Sequence, residues 1–97
     1  MITLVAVAQA KPGKEELLRE TLLALVPQTR QETGCVNYDL HRSISKPGVF
    51  MFHENWADRE ALQKHGKMPY MLELRTKMAD LLAEPLQMEL YEMISSR

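Results

Sequence analysis

Short β-prone stretches alternate along the chain with longer stretches in which apolar residues recur at helical spacing. Residues 2–9 are apolar on both faces of an extended chain, which predicts a strand covered on two sides. Residues 35–43 and 49–56 are separated by the turn-forming sequence Ser45-Lys46-Pro47-Gly48, and this arrangement predicts a hairpin. Residues 86–94 place Leu86, Met88 and Leu90 opposite Tyr91 and Met93, which predicts a final strand.

The first helical pattern follows the turn at residues 11–13. Leu18 and Leu22 recur at helical spacing, and the pattern continues to Gly34, a candidate left-handed cap. Pro27 lies inside this predicted helix. Because proline cannot donate to the carbonyl of residue 23, we expect a kink there.

Two further helices are predicted between the hairpin and the last strand. Asp58 is a candidate cap for a short helix that runs through His65, and Pro69 is suited to the first turn of the next helix. Pro85 ends that second helix.

The resulting order is strand, helix, strand, strand, helix pair, strand. This order predicts an α+β, ferredoxin-like sandwich (βαββαβ) with an antiparallel sheet and helices on one face, in a single domain over residues 1–97. The first, third and fourth strands look apolar on both faces. Leaving several hundred Å² of such surface bare would cost about 10 kcal/mol. We therefore expect a homodimer in which the sheets cover each other.

Composition narrows the class of protein. The 97 residues are 45% apolar and 26% charged, and 12 basic against 13 acidic side chains give a net charge of −1. This balance gives no reason to expect a nucleic-acid partner. The single cysteine, Cys35, excludes an internal disulfide and a multi-cysteine zinc site. No apolar run approaches the roughly 18 residues of a membrane span. We expect a cytoplasmic protein with no metal and no membrane partner.

Four short blocks resemble a known family in their order and spacing. The sequence resembles the antibiotic biosynthesis monooxygenase family of dimeric α+β barrels, and within it the small stand-alone members described as quinol monooxygenases. The similarity extends over essentially the whole chain. The blocks are Lys11-Pro12-Gly13-Lys14, Glu32-Thr33-Gly34-Cys35-Val36-Asn37-Tyr38, Phe52-His53-Glu54-Asn55-Trp56 and Ala61-Leu62-Gln63-Lys64-His65.

The resemblance implies an activity and a place for it. Catalytic members oxidise phenolic or quinol-like aromatics with molecular oxygen, and they need no flavin, haem or metal cofactor. A deprotonated quinol reduces oxygen itself, so the protein only binds it, favours its anion and excludes water. The resemblance places the pocket between the helices and the sheet. We therefore expect a cofactor-independent monooxygenase that acts on a small aromatic substrate.

The resemblance also implies roles for three residues and shows two departures from the family pattern. Trp56 matches an aromatic residue that lines the pocket and would stack on a planar substrate. His41 matches a pocket histidine and would accept a phenolic proton, and Arg75 lies within one residue of a pocket arginine that would stabilise an anion. Phe52 and Leu62 stand where one member has an asparagine and a tyrosine beside the substrate.

Two residues of these blocks are titratable candidates with competing interpretations. His65 is a candidate catalytic residue, but a histidine in a last helical turn also interacts favourably with the helix dipole. Glu54 is a candidate substrate-binding residue on the strand face of Trp56. Burial beside Trp56 would raise the pKa of Glu54, whereas pairing with Arg75 would lower it.

Of three other functions, one is set aside and two remain open. Haem-degrading relatives bind iron through a histidine about ten residues beyond the His65 position, where this chain has Glu73-Leu74-Arg75-Thr76-Lys77, so we set haem degradation aside. Isomerisation of a small metabolite would use the same acid–base groups. A dimer that only binds a small molecule is the non-catalytic alternative.

Overall fold

The computed structural model describes residues 1–95, which form four strands and four helices. In chain order these are β1 (Ile2–Gln9), α1 (Glu15–Leu23), α2 (Leu25–Arg30), β2 (Cys35–Arg42), β3 (Val49–Trp56), α3 (Arg59–Gly66), α4 (Pro69–Leu81) and β4 (Gln87–Tyr91). Within these 95 residues no helix combines the length and the apolar composition needed to cross a membrane.

The strands form one antiparallel sheet in the order β2-β3-β1-β4. The two central strands, β1 and β3, pair along their whole length, from Ile2 opposite Trp56 to Gln9 opposite Val49. Buried apolar side chains from the sheet and from all four helices share one core. The predicted ferredoxin-like α+β fold is confirmed.

The sheet has a covered face and an open face. On β1 the even-numbered side chains Leu4, Ala6 and Ala8 are buried against the helices, as are Phe50 and Phe52 on β3. Because successive side chains of a strand alternate, the odd-numbered positions of both strands lie on the open face.

The predicted kink at Pro27 is a break between two helices. α1 ends at Leu23 and α2 begins at Leu25, so the interruption falls at the carbonyl that Pro27 cannot hydrogen-bond. The second piece ends at Arg30, four residues before Gly34. Gly34 has the predicted left-handed backbone, with φ of +89°, but it belongs to the turn before β2 rather than to a helix end.

The next two helices begin where the sequence predicts. The Asp58 carboxylate accepts a hydrogen bond from the Ala61 amide at 2.8 Å, which caps α3. Pro69 is the first residue of α4, where its missing amide hydrogen leaves no helical bond unmade.

The expectation that the fourth strand is apolar on both faces is wrong. β4 spans five residues rather than nine, and its open face carries Gln87, Glu89 and Tyr91. A second irregularity lies in β2. A register shift between Cys35 and Asn37 makes Val36 an extra residue, and this residue is 57% exposed.

A chain of polar side chains also crosses the open face. Asn55 accepts a hydrogen bond from the Thr3 hydroxyl and donates to the Asn37 side-chain oxygen at 2.7 Å. Asn37 donates in turn to Asp39 and to the backbone oxygen of His53, each at 3.1 Å. The open face is therefore apolar along β1, at Val5 and Val7, and polar towards β2.

Gly34 lies so close to α3 that a side chain at this position would collide with Ala61. A Cβ atom built on Gly34 lies 2.5 Å from the Ala61 Cβ, and one built on Gly13, where φ is +86°, has no atom within 4 Å. We expect Gly34→Ala to lower the free energy of unfolding by about 2 kcal/mol, because it adds steric overlap to the strain of a positive φ. Gly13→Ala, the matched control, adds only the strain, about 1 kcal/mol. If urea unfolding shows that Gly34→Ala and Gly13→Ala lose the same free energy of unfolding, this account is contradicted.

Candidate active site

A cavity of about 830 Å³ lies between the covered face of the sheet and helices α3 and α4. Its wall is mainly aliphatic. The lining includes Leu4, Leu62, Met71, Leu74, Met78 and Leu82. The volume is in the range typical of sites for drug-sized ligands.

Three polar side chains interrupt this apolar wall at one place. Tyr38 on β2 lies opposite Glu54 on β3 in the sheet register, and His65 on α3 lies above them. The ring centroids of Tyr38 and His65 are 5.5 Å apart. Elements that are distant in sequence thus bring the carboxyl group of Glu54, the imidazole of His65 and the phenol of Tyr38 to one part of the cavity.

Trp56 connects the two titratable groups from behind the cavity wall. Its indole nitrogen donates a hydrogen bond to Glu54 Oε1 at 3.0 Å, and its ring lies 4.7 Å from the His65 ring, centroid to centroid. Trp56 has no exposed surface. The structure therefore places Trp56 where it orients Glu54 and His65, rather than on the cavity surface where a substrate would stack.

Glu54 is a buried carboxyl group with one oxygen free. The residue is 3% exposed, and within residues 1–95 only Trp56 hydrogen-bonds its side chain. Burial raises the pKa of Glu54 from its ordinary value of 4.5 to about 7, the hydrogen bond from Trp56 opposes this, and the charge of Glu32 adds to it. Of the two interpretations of Glu54, burial beside Trp56 is the one observed. Near neutral pH the group can give or take a proton.

His65 is held from the side that faces away from the cavity. Its Nδ1 lies 2.9 Å from Glu32 Oε2, and the Tyr70 hydroxyl donates to the same oxygen. The side chains of His65 and Glu32 are 5% and 8% exposed. The other ring nitrogen, Nε2, has no hydrogen-bond partner in the described chain and is not fully buried, and His65 is one of the residues that line the cavity.

The close approach at Gly34 explains how Glu32 reaches His65. Ala61 and His65 lie one turn apart on the buried side of α3. Because Gly34 has no side chain, the turn that carries Glu32 packs directly against Ala61. A hydrogen bond of 2.8 Å from the Ala57 amide to the Gly34 oxygen fixes this turn beside the start of α3.

Three other predicted site residues line the cavity. Phe52 stacks on Tyr38 with ring centroids 4.6 Å apart, and Leu62 contributes to the wall. Arg75 lies at the exposed rim, where its guanidinium donates to the Gly66 carbonyl at 3.0 Å. Arg75 therefore does not pair with Glu54.

The structure does not bring His41 to this cavity. His41 pairs with Met51 in the sheet, and both lie on the opposite face from Tyr38 and Phe52. Its side chain is exposed beside a shallow depression that includes Arg19 and Arg42. The alternation of β2 separates His41 from the cavity, since odd-numbered residues after the register shift point away from the helices.

Sequence reasoning did not identify Glu32, Tyr38 and Tyr70 as parts of this site. Glu32 and Tyr38 occur in one of the four family blocks, but neither carries a sequence signal for a contact with His65. Glu32 and Tyr70 are 38 residues apart in the chain and meet only in the fold. The pairing of Tyr38 with Glu54 could be found from the hairpin register alone.

Comparison with known proteins identifies the family. The sequence profile described as antibiotic biosynthesis monooxygenase matches residues 1–77. The chain belongs to this family.

Several known proteins resemble the chain over most of its length. The Mycobacterium tuberculosis protein named "Putative monooxygenase Rv0793" is 32% identical over 87% of this chain and 82% of its own. Its solved structure superimposes with a TM-score of 0.92 at 28% identity, covering 98% of this chain and 96% of that one. The structure of PA3566 from Pseudomonas aeruginosa gives a TM-score of 0.92 at 32% identity, with coverage of 97% and 94%.

A third relative is longer than this chain. The Synechocystis protein sll1783 is 30% identical over 92% of this chain, and the chain spans 60% of that protein's length.

Proposed function

We propose that the protein is a cofactor-independent monooxygenase that oxidises a quinol or a related small aromatic with molecular oxygen. The observation that carries the proposal is the placement of His65 and Glu54 together on one part of a mainly apolar cavity, with His65 Nε2 and one Glu54 oxygen without a hydrogen-bond partner in residues 1–95. Membership of a family whose relatives carry monooxygenase names is consistent with it.

The shape and lining of the cavity favour a flat, apolar substrate with few polar groups. Its wall is mainly aliphatic, and the aromatic pair of Phe52 and Tyr38 offers a planar surface. A cavity of about 830 Å³ accommodates a substituted or fused aromatic ring system. The two acid–base groups lie where they can meet a phenolic hydroxyl.

The proposed reaction begins with proton transfer from the substrate. His65 accepts a phenolic proton at Nε2, and the resulting quinolate transfers one electron to oxygen. The substrate radical and superoxide combine to form a carbon–oxygen bond, and His65 returns its proton to the peroxide. Glu54 in its acid form then protonates the departing hydroxide, and it regains a proton as the ring carbon loses its hydrogen.

The reaction balances without another reductant. One quinol and one oxygen molecule give one hydroxyquinone and one water. The quinol loses four electrons, of which two form the quinone and two accompany insertion of the oxygen atom. Oxygen gains the same four electrons.

An oxygen electrode tests this proposal directly. Wild-type protein and a panel of benzoquinols and naphthoquinols are expected to consume oxygen faster than the same quinols alone, with a quinone product that forms only in air. Conversion at equal rates with and without oxygen would support an isomerase instead. Binding of panel members without conversion would support the non-catalytic alternative.

We also propose that the protein is a homodimer. On the open face of the sheet, Val5 and Val7 form an apolar strip along β1 that no helix within residues 1–95 covers. Met93 and Ile94 beyond β4 are exposed as well. Covering these side chains with a second copy would remove apolar surface from water.

Light scattering tests the dimer. We expect wild type to have twice the mass of one chain and Val7→Glu to have the mass of one chain, because the new carboxylate would be buried without a partner. Leu17→Glu, on the exposed side of α1, is the control and should remain a dimer. A monomeric wild type would contradict the proposal.

A further inference from the structure

The strongest unexplained feature of the site is the carboxylate behind His65. Glu32 lies in the turn between α2 and β2, and its Oε2 receives both His65 Nδ1 and the Tyr70 hydroxyl. In the described part of the chain, His65 is the only basic side chain that pairs with Glu32. Burying a carboxylate with two donors and no lysine or arginine beside it lowers the free energy of unfolding. This cost points to a role for Glu32 other than stability.

We propose that Glu32 and Tyr70 are positioning residues that hold His65 in the tautomer with its proton on Nδ1. This inference deepens the proposed function, on which its kinetic part rests. A carboxylate can only accept hydrogen bonds, so the group at 2.9 Å from Glu32 is an Nδ1–H donor. In the neutral ring Nε2 then carries the lone pair, and Nε2 is the nitrogen that has no partner in the described residues, on a side chain that lines the cavity.

Each neighbour restricts His65 in a different way. Glu32 selects the tautomer and lies next to the positive charge that forms when Nε2 accepts a proton. The Tyr70 hydroxyl occupies a second lone pair of Oε2, which limits rotation of the carboxylate. The Trp56 ring packs on the imidazole and restricts its tilt. Neither Glu32 nor Tyr70 lines the cavity, so both act through His65.

Nitrogen-15 NMR of the histidine rings tests the assignment without any substrate. In wild type we expect the neutral His65 ring to show a protonated Nδ1 and an unprotonated Nε2. In Glu32→Gln, whose amide can donate to Nδ1, the Nε2–H form should become populated. An Nε2–H tautomer in wild type, or an unchanged Nδ1–H tautomer in Glu32→Gln, would overturn the proposal.

Kinetics with an accepted quinol tests the positioning role. We expect Glu32→Gln to lower kcat about 100-fold or more and to leave KM within about threefold, because the ring remains in place but presents the wrong nitrogen. Tyr70→Phe should lower kcat about tenfold or less. Glu60→Gln, an exposed glutamate on the same helix as His65, is the matched control and should match wild type. A folded Glu32→Gln protein with wild-type kcat would overturn the role of Glu32.

The two measurements separate this proposal from the function on which it rests. A wild-type protein with the expected tautomer but no turnover of any quinol would refute the proposed function and leave the positioning of His65 supported. Turnover with the opposite tautomer would do the reverse. Thermal unfolding of each variant identifies any loss that results from misfolding.

Discussion

Replacing His65 with glutamine is expected to lower kcat for quinol oxidation by about 100-fold to 10,000-fold, the usual range for losing a general base. Glutamine keeps a polar side chain of similar length above Glu54 but cannot take up a proton. KM should change little, since the aliphatic wall of the cavity remains intact. Stopped-flow or steady-state oxygen consumption measures both constants.

His41→Gln is the matched control, and it separates two accounts of the site. The resemblance implied that His41 accepts the phenolic proton, but the structure places it on the other face of the sheet. We therefore expect His41→Gln to keep wild-type kcat. A large loss in His41→Gln together with little loss in His65→Gln would contradict the site described above.

Replacing Glu54 with glutamine is expected to change how stability depends on pH. The pKa of Glu54 is about 7 in the folded protein and near its ordinary 4.5 in the unfolded chain. Between these values the folded state keeps the proton that the unfolded state has lost, so stability falls as pH rises. The loss is about 1.4 kcal/mol per pH unit, or about 3 kcal/mol in total, and is complete above pH 7.

Urea unfolding at pH 4.5 and pH 8 measures this difference. The stability of Glu54→Gln relative to wild type should increase by about 3 kcal/mol between the two pH values, because glutamine carries no proton to lose and still accepts the bond from Trp56. Glu20→Gln, at an exposed position of α1, is the control and should show no such increase. If the difference in free energy of unfolding between Glu54→Gln and wild type is the same at both pH values, burial does not perturb the pKa of this carboxyl group.

The fold could be predicted from the sequence because its local signals agree with one another. The break at Pro27, the cap at Asp58 and the start at Pro69 each follow from the chemistry of one residue and its neighbours. The end of β4 was predicted less well. Apolar residues continue to Ile94, but strand pairing with β1 ends at Tyr91, and no local signal marks that point.

The site could be predicted from the sequence only in part, because its contacts join segments that are distant in the chain. Glu54 was a candidate from its strand face, yet whether it would meet Trp56 or Arg75 depended on the packing of α4. Glu32 reaches His65 only because Gly34 permits close packing against α3. His41 shows the opposite case, in which a position matched by resemblance lies on the wrong side of a strand.

Isotopic labelling with ¹⁸O₂ tests the central claim most directly. With a quinol that the wild-type protein converts, mass spectrometry should find one labelled oxygen atom in the hydroxyquinone and the other in water. His65→Gln should form the labelled product more slowly than wild type, by the same factor as its loss in kcat. A quinone without label, accompanied by labelled hydrogen peroxide, would show simple oxidation and contradict the assignment of monooxygenase chemistry to this cavity.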